Sequence, residues 1–199
     1  MPRQAGSART TRENLVDAAV RLAAQNGVDA TSVRTIAREA GVTEAMLYRH
    51  FKSKDELWRD VYTRIVEEMV RDKAALLGDS APIRQRIHEW VRLTYEYYDG
   101  NRDAFTYVLL MPSSFAEKLG DIYYKHGRLF KQLLEEGRQR GELRHDIDMT
   151  LALSLFSGVL LNVPRSINDG LLDGPAAHYI DAVAESAWQL LKARGTEDD

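Results

Sequence analysis

The 199-residue chain contains no cysteine, and only five prolines interrupt it. Disulfides, thiolate metal sites and thiol catalysis are therefore excluded, and a reducing compartment fits this composition. The most apolar stretch, residues 151–164, contains two serines, a glycine and an asparagine and is shorter than the about 20 apolar residues that span a bilayer. It predicts a buried helix and no membrane partner. The first 14 residues are polar and arginine-containing with no apolar signal-peptide core behind them, which predicts a cytoplasmic protein.

Motifs of catalytic, metal and cofactor sites are also lacking. The five histidines show no pair at a helical spacing of three or four and no neighbouring ligand cluster. A glycine-rich phosphate loop is missing as well. We therefore predict no enzyme, no metal and no cofactor, although side chains distant in sequence could still converge on an active site.

Charge is distributed unevenly along the chain. The net charge of −3 divides into +4 over residues 1–54 and −7 over residues 55–199. A basic head on an acidic body indicates that one end approaches a polyanion while the remainder stays soluble. This signal is weak by itself, because asymmetries of this size are common.

Apolar residues recur with helical periodicity almost everywhere, and no β-type alternation is convincing. The fold class is therefore predicted as all-α with about nine helices, several of which begin at capping residues and end at glycines. The predicted helices run from Thr10 or Thr11 to Gly27, from Thr31 or Ser32 to Gly41, from Thr43 to Phe51, from Ser53 to Leu76 or Leu77, from Ile83 to Gly100, from Asp103 to Met111, from Ser113 or Ser114 to Gly141, and over residues 147–163 and 176–193.

The most informative segment is TSVRTIAREAGVTEAMLYRHFKSK, residues 31–54. Two short capped helices joined by a turn at Gly41 predict a helix-turn-helix unit. The second of these helices would expose short polar and aromatic groups that can reach phosphates and base edges in a major groove. An ordinary corner between two helices is the alternative. The outward residues are Thr43, Glu44, Ala45, Tyr48 and Arg49.

The run IAREAGVTEAMLYRHFKSKDEL resembles the DNA-binding signature of the TetR family of bacterial transcriptional regulators. The resemblance covers residues 10–62, and beyond them only helix order and length agree with the family. It implies a helix-turn-helix DNA-binding domain at 1–54 and a larger helical effector-binding and dimerisation domain at 55–199. Carried over by position, it further implies that phosphates are held by Thr31 or Ser32, Tyr48, His50 and Lys54.

Four residues lie nearest to base edges in this comparison: Arg34, Thr43, Glu44 and Ala45. Ala45 can meet a thymine methyl group, and hydroxyl and lysine groups at helix starts suit phosphate. Glu44 is ambiguous, since it can accept from cytosine or simply complement the dipole of its own helix. Both readings stay open.

The larger domain is predicted to bind a small effector. Ten of the 17 aromatic residues fall between Trp90 and Phe130, and the family resemblance places a ligand in that region. Plain core packing is the alternative for each of them. The candidate effector residues are Trp90, Tyr95, Arg102, Phe105, Tyr107, Tyr123, His126, Phe130, Phe156 and Asn162.

The last two helices are predicted to form a homodimer. The helix over residues 147–163 has apolar residues on more faces than one intramolecular contact needs, and Ile180, Val183, Ala184, Ala187 and Leu191 are expected to complete a four-helix interface. The sequence thus predicts a homodimeric transcriptional regulator that acts as a repressor. We expect it to bind a pseudo-palindromic double-stranded operator and to leave it when a small apolar or amphipathic effector binds. The alternative is a small-molecule-binding or catalytic helical protein whose helix-turn-helix is purely structural.

Overall fold

The computed structural model describes residues 10–110 and 116–193, and within those ranges it holds ten α-helices and no strand beyond a single bridge between Leu143 and Lys192. Short 3₁₀ helices precede α5 and α10. The helices are α1 (Thr11–Asn26), α2 (Val33–Glu39), α3 (Glu44–His50), α4 (Lys54–Arg71), α5 (Ile83–Gly100), α6 (Arg102–Leu110), α7 (Ala116–Leu119), α8 (Asp121–Gln139), α9 (Met149–Asn168) and α10 (Ile180–Leu191), and the 3₁₀ helices are Lys73–Leu76 and Ala176–Tyr179.

The predicted all-α fold is confirmed, and its helix starts follow the capping residues. Thr10 and Glu13 form the expected capping box, and Thr43 caps α3 through the amide of Met46. Ser53 caps α4, but the Glu56 carboxylate accepts from the amide of Lys52 instead of closing the box on Ser53. Local side-chain oxygens satisfy the first free amides of a helix, so these starts follow from sequence alone.

Two predicted helices are divided in the structure. The predicted fourth helix ends earlier, at Arg71, and continues as the 3₁₀ helix that holds Lys73. The predicted seventh helix is interrupted at Gly120, which has φ +61° and separates α7 from α8. Glycine adopts this backbone region at little cost, so it can break a helix whose apolar periodicity continues on both sides. The predicted start at Ser113 or Ser114 lies outside the described residues.

Helices α1 to α3 form a small head around an apolar centre that includes Leu15, Ile36 and Leu47, each without exposed surface. Arg12 ties α1 to α4, because its guanidinium donates to Asp60 at 2.6 Å and lies over the ring of Phe51. The head is therefore anchored on α4 by both packing and charge.

The head also contacts the larger domain through α6, which packs against α1 and α4. Tyr107 on α6 stacks on Trp58 of α4 with ring centroids 5.7 Å apart, and its hydroxyl donates to the Trp58 carbonyl at 3.1 Å. In the rest of the larger domain, α8 lies against α4, while α10 packs on α5 and α9. A displacement of α6 or α4 must consequently reach the head.

Helix α9 departs from the buried helix predicted for residues 151–164. It extends over 20 residues, is by length and composition apolar enough to cross a membrane, and has only 28% of its most apolar window buried. Leu151 and Leu155 on its outer side are 48% and 39% exposed. Part of its apolar surface thus remains open in the single chain.

Candidate nucleic-acid interface and effector site

The α2–α3 unit has the connections of a helix-turn-helix. Ser32 caps α2, Gly41 turns the chain at φ +71°, and the amide of Val42 donates to the Ala37 carbonyl at 2.9 Å. Leu47, on the inner side of α3, is fully buried. The short turn and the buried inner side hold α3 with its other side toward solvent.

The outer side of α3 carries the side chains predicted to contact DNA. Thr43, Glu44 and Ala45 are exposed at its start, and Tyr48 is 51% exposed in the middle. His50 is exposed at its end, next to half-buried Lys54, while Arg34 and Ser32 are exposed on neighbouring α2 and its cap. All eight are therefore at least partly accessible to solvent in or beside the α2–α3 unit.

Positive charge on this surface is mostly uncompensated. Residues 31–54 contain five lysines or arginines and two glutamates. Glu39 is paired with Arg21 of α1 at 3.3 Å, whereas Arg34, Tyr48 and His50 make no hydrogen bond or ion pair with any described residue. Such groups can meet phosphates without first breaking an internal contact.

Thr31 is the exception among the predicted DNA contacts. It is only 2% exposed, and its hydroxyl donates to the Gly27 carbonyl at 2.8 Å. Ser32 provides the cap of α2, so the phosphate role predicted for Thr31 is wrong. Thr31 instead secures the turn between α1 and α2.

Four predicted effector residues form one cluster in the larger domain. Phe130 of α8 stacks on Phe156 of α9 with ring centroids 3.7 Å apart, and Trp90 of α5 meets Phe130 edge-on at 4.8 Å. The His126 ring lies 5.1 Å from that of Trp90. Trp90, Phe130 and Phe156 are at most 3% exposed.

Other predicted aromatic residues belong to separate contacts. Tyr107 packs on Trp58, and half-buried Tyr123 stacks on Tyr62 at 6.1 Å, both against α4. Phe105 meets Tyr98 edge-on at 5.3 Å. The buried Tyr95 hydroxyl donates to the Leu160 carbonyl of α9 at 2.9 Å, which ties α5 to α9.

The structure separates two polar candidates from the aromatic cluster. Arg102 is exposed at the start of α6 and donates to Asn168 at 2.8 Å and to the Ile167 carbonyl at 3.1 Å, beside an open cleft of about 610 Å³ between the head and the larger domain. Asn162 is exposed on the outer side of α9. The prediction that these two residues orient an effector among Trp90 and Phe130 is therefore corrected. Arg102 is held by its hydrogen bonds to the end of α9, and Asn162 lies on the exposed side of that helix.

Lys73 is a residue of the aromatic cluster that was not among the sequence candidates. It is 1% exposed, its Nζ donates to the Met69 carbonyl at 3.0 Å, and the same atom lies 5.6 Å from the Trp90 ring centroid. A signal for it existed, since Lys73 continues the four-residue spacing of the buried residues Val61, Ile65 and Met69.

Helices α9 and α10 expose mostly apolar, small and amide side chains on their outer sides. On α10, the residues predicted for the dimer interface lie inside the chain instead: Val183, Ala184, Ala187 and Leu191 are at most 7% exposed and Ile180 is half-buried. They are buried because α10 packs on α5 and α9, so that prediction is corrected. The outer face consists of Leu151, Ser154, Leu155, Gly158 and Asn162 of α9 with Ala182, Ser186 and Gln189 of α10.

Comparison with known proteins decides how these features are interpreted. Residues 15–61, which include the whole α2–α3 unit, match the family model of bacterial regulatory proteins of the tetR family. This N-terminal region of the chain is therefore similar to tetR-family regulatory proteins.

Relatives and solved structures match this chain over most of its length. It is 27% identical over 182 residues to the transcriptional repressor KstR2 of Rhodococcus jostii, covering 87% of this chain and 89% of that protein. The structure of the fatty acid degradation regulator FadR from Bacillus halodurans has a TM-score of 0.79 at 17% identity and covers 97% of this chain and all of the other. FadR from Bacillus subtilis in complex with stearoyl-CoA has a TM-score of 0.76 at 18% identity, covering 88% and 96%. These two structures are similar in fold.

Proposed function

We propose that the protein is a homodimeric transcriptional repressor that binds a pseudo-palindromic operator through the α2–α3 surface and leaves it when a small apolar or amphipathic effector binds. One observation carries the proposal: the exposed side of a TetR-type helix-turn-helix presents Arg34, Tyr48 and His50 without internal partners. Its relatives are transcriptional regulators, not enzymes. A regulator of this kind works in the cytoplasm, where the DNA is.

We assign phosphate contacts to Ser32, Tyr48, His50 and Lys54. Hydroxyl, phenol and ammonium groups donate to phosphate oxygens and set the position of α3 on the duplex. Arg34, Thr43, Glu44 and Ala45 remain for base edges, because they surround the start of α3, and the first residues of a recognition helix face the bases in this motif. Their grouping on one surface supports this assignment.

We assign dimerisation to α9 and α10. The outer face defined above consists of apolar, small and amide residues, with Leu155 and Gly158 at the centre of its α9 part and Ser186 at the centre of its α10 part. Two such faces related by a two-fold axis form a four-helix interface, and they cover apolar surface that the single chain leaves open. Asn162 belongs to this face in the proposal.

The division into a DNA-binding domain at 1–54 and an effector and dimerisation domain at 55–199 suits a mechanism in which α4 transmits movement. Helix α4 is continuous from the head to the core of the larger domain. Two recognition helices must be separated by about 34 to 36 Å, one turn of DNA, to bind together. An effector that shifts α4 or α6 by a few ångströms would prevent simultaneous binding, and the coupling is reciprocal.

The chemistry of the effector follows from the buried aromatic cluster around Trp90, Phe130 and Phe156, which favours an apolar or amphipathic molecule. The structurally similar FadR of Bacillus subtilis, solved with stearoyl-CoA, supports a ligand of that character.

Selection from a random duplex library tests the proposed function. We expect the purified protein to recover an inverted repeat, to bind it as a dimer, and to lose affinity steeply as salt rises, because DNA binding releases counterions. A scrambled duplex of the same composition is the control. Failure to retain any duplex at low salt would favour the alternative of a small-molecule-binding or catalytic protein with a structural helix-turn-helix.

A further inference from the structure

Three nitrogen-bearing side chains meet in the core of the larger domain, far from the α2–α3 surface. Lys73 follows α4, Trp90 belongs to α5 and His126 belongs to α8. The Lys73 ammonium and the His126 ring lie 5.6 Å and 5.1 Å from the Trp90 ring centroid. Three separate elements therefore bring the Lys73 ammonium and the His126 ring against the ring of Trp90.

These groups are poorly satisfied within the described part of the chain. Trp90 Nε1 and His126 Nε2 are buried without a hydrogen-bond partner, and Lys73 Nζ makes one bond, to the Met69 carbonyl. A buried polar group without a partner costs about 1–3 kcal/mol, and native proteins keep few of them. Such a cluster calls for an acceptor that the polypeptide does not supply.

The surroundings favour an anion. Burial lowers the pKa of Lys73 to about 8, and exposed Asp72 opposes this only in part. Burial, together with the charge of Lys73, lowers the pKa of His126 to about 3. Both shifts mean that positive charge is unfavourable in this buried cluster, and a negative charge beside it would relieve part of the penalty.

The apolar neighbours define the rest of the ligand. Phe130 contacts Trp90, and Phe156 stacks on Phe130, so hydrocarbon surface begins next to the three nitrogens. A carboxylate can accept from several donors at once, while its hydrocarbon or aromatic portion replaces part of this ring stack.

We propose that Lys73, Trp90 and His126 bind the carboxylate of an apolar organic acid, which is the effector. The inference deepens the proposed function and rests on it for its regulatory meaning. Lys73 supplies its ammonium group, Trp90 supplies its indole N–H, and His126 supplies the Nε2 atom of its ring.

The position of Lys73 also explains how binding of the acid would be transmitted to the head. Lys73 Nζ bonds to the Met69 carbonyl in the last turn of α4, whose other end begins beside the α2–α3 unit. A carboxylate that binds the ammonium would displace the Met69 carbonyl and so release this tie at the end of α4. Loss of the bond between Lys73 and Met69 is thus the start of the transmitted movement.

Matched acids and amides test the site directly. Octanoate, decanoate and phenylacetate are titrated into the wild-type dimer by calorimetry, beside octanamide, decanamide and phenylacetamide. We expect at least one acid to bind about tenfold or more tightly than its amide, since charge-assisted hydrogen bonds exceed neutral ones. Lys73→Met should abolish this preference and His126→Phe should weaken it, whereas Lys131→Met, on the exposed side of α8, should leave it intact.

Melting temperature without ligand provides a second readout. A buried ammonium without an anion destabilises the fold, so Lys73→Met should melt at a higher temperature than the wild type when no ligand is present. A merely structural lysine would show the opposite change. Lower stability of Lys73→Met together with unchanged acid binding would overturn the proposal.

The outcomes separate this proposal from the proposed function. If the wild type binds its operator and is released by stearoyl-CoA, while no acid is preferred over its amide, the carboxylate site is wrong and the repressor stands. If the acids bind with the expected dependence on Lys73 but no duplex is retained, the site stands and the repressor is wrong.

Discussion

The head and the larger domain present their functional side chains in opposite ways. In the head, Arg34, Tyr48 and His50 are exposed and without internal partners. In the larger domain, Lys73 and Trp90 are at most 1% exposed and have polar atoms that the described chain does not fully satisfy. A surface for a polyanion keeps its groups free in water, whereas a site for a small molecule can be recognised by the cost of what it buries.

The two regions also differ in how far apart in sequence their residues lie. The groups assigned to DNA contacts all come from residues 31–54, so two short helices and one turn determine their arrangement. The core cluster combines residues between Lys73 and Phe156, from a 3₁₀ helix and from α5, α8 and α9. Such a cluster exists only after the helices have packed.

The largest effect is expected from Gly158→Glu on the outer face of α9. A Cβ there meets nothing within 4 Å in the chain, so the fold should persist, while the buried carboxylate would prevent dimerisation. Operator affinity should fall by about 100- to 10,000-fold because bivalent binding is lost. Sedimentation and fluorescence anisotropy measure the two changes. Gly127→Glu on α8, equally free of neighbours, is the control, and a dimeric Gly158→Glu with full affinity would place the interface elsewhere.

The next largest effect is expected on the free energy of unfolding, from a substitution in the aromatic cluster. Phe130→Ala removes the Phe156 stack and the Trp90 contact, and we expect a loss of about 3–5 kcal/mol in the free energy of unfolding. Tyr124→Ala on the same helix, where the side chain is 54% exposed, should change it by about 0.5 kcal/mol or less. Urea denaturation gives both values. A cost below about 1 kcal/mol for Phe130→Ala would mean that the region is an open pocket, not a core.

A smaller effect should appear as pH falls. The folded His126 has a pKa of about 3 against an ordinary value of 6.5, so below pH 6.5 the unfolded chain takes up a proton that the folded chain does not. Stability attributable to His126 should therefore decrease by about 2 kcal/mol between pH 6.5 and about pH 5. His126→Phe should lose this part of the pH dependence, and exposed His178→Phe should retain it. Identical pH profiles for the three proteins would show that His126 is not buried in the neutral form.

The smallest effect belongs to single DNA contacts. Lys54→Ala should weaken operator and random duplex by similar factors and reduce the slope of log affinity against log salt by about one. Tyr48→Phe should weaken both without changing the slope, because it removes a hydroxyl and no charge. Lys131→Ala, remote on α8, is the control for general charge effects. An unchanged slope in Lys54→Ala would remove Lys54 from the phosphate contacts.

The core cluster was predicted in part. The density of aromatic residues and the family resemblance placed Trp90, Phe130 and Phe156 in one predicted site, but Arg102 and Asn162 were grouped with them, and the structure places these two on other surfaces. Lys73 was overlooked although it lies on the buried side of its helix. The spacing of apolar residues shows which side of a helix is buried, but it does not show which other helix packs against that side.

The sequence by itself determined the local features of this protein. Thr10, Ser32, Thr43 and Ser53 start helices because their hydroxyls bond to amides three residues away, and Gly41 turns the chain between α2 and α3. Tertiary structure decided which apolar sides face the chain's own core: it turned Ala184 and Ala187 of α10 inward and left Leu151 and Leu155 of α9 open. Tertiary packing also brought Lys73, Trp90 and His126 together. Capping depends on atoms within one helical turn, whereas burial depends on contacts between segments that lie many residues apart.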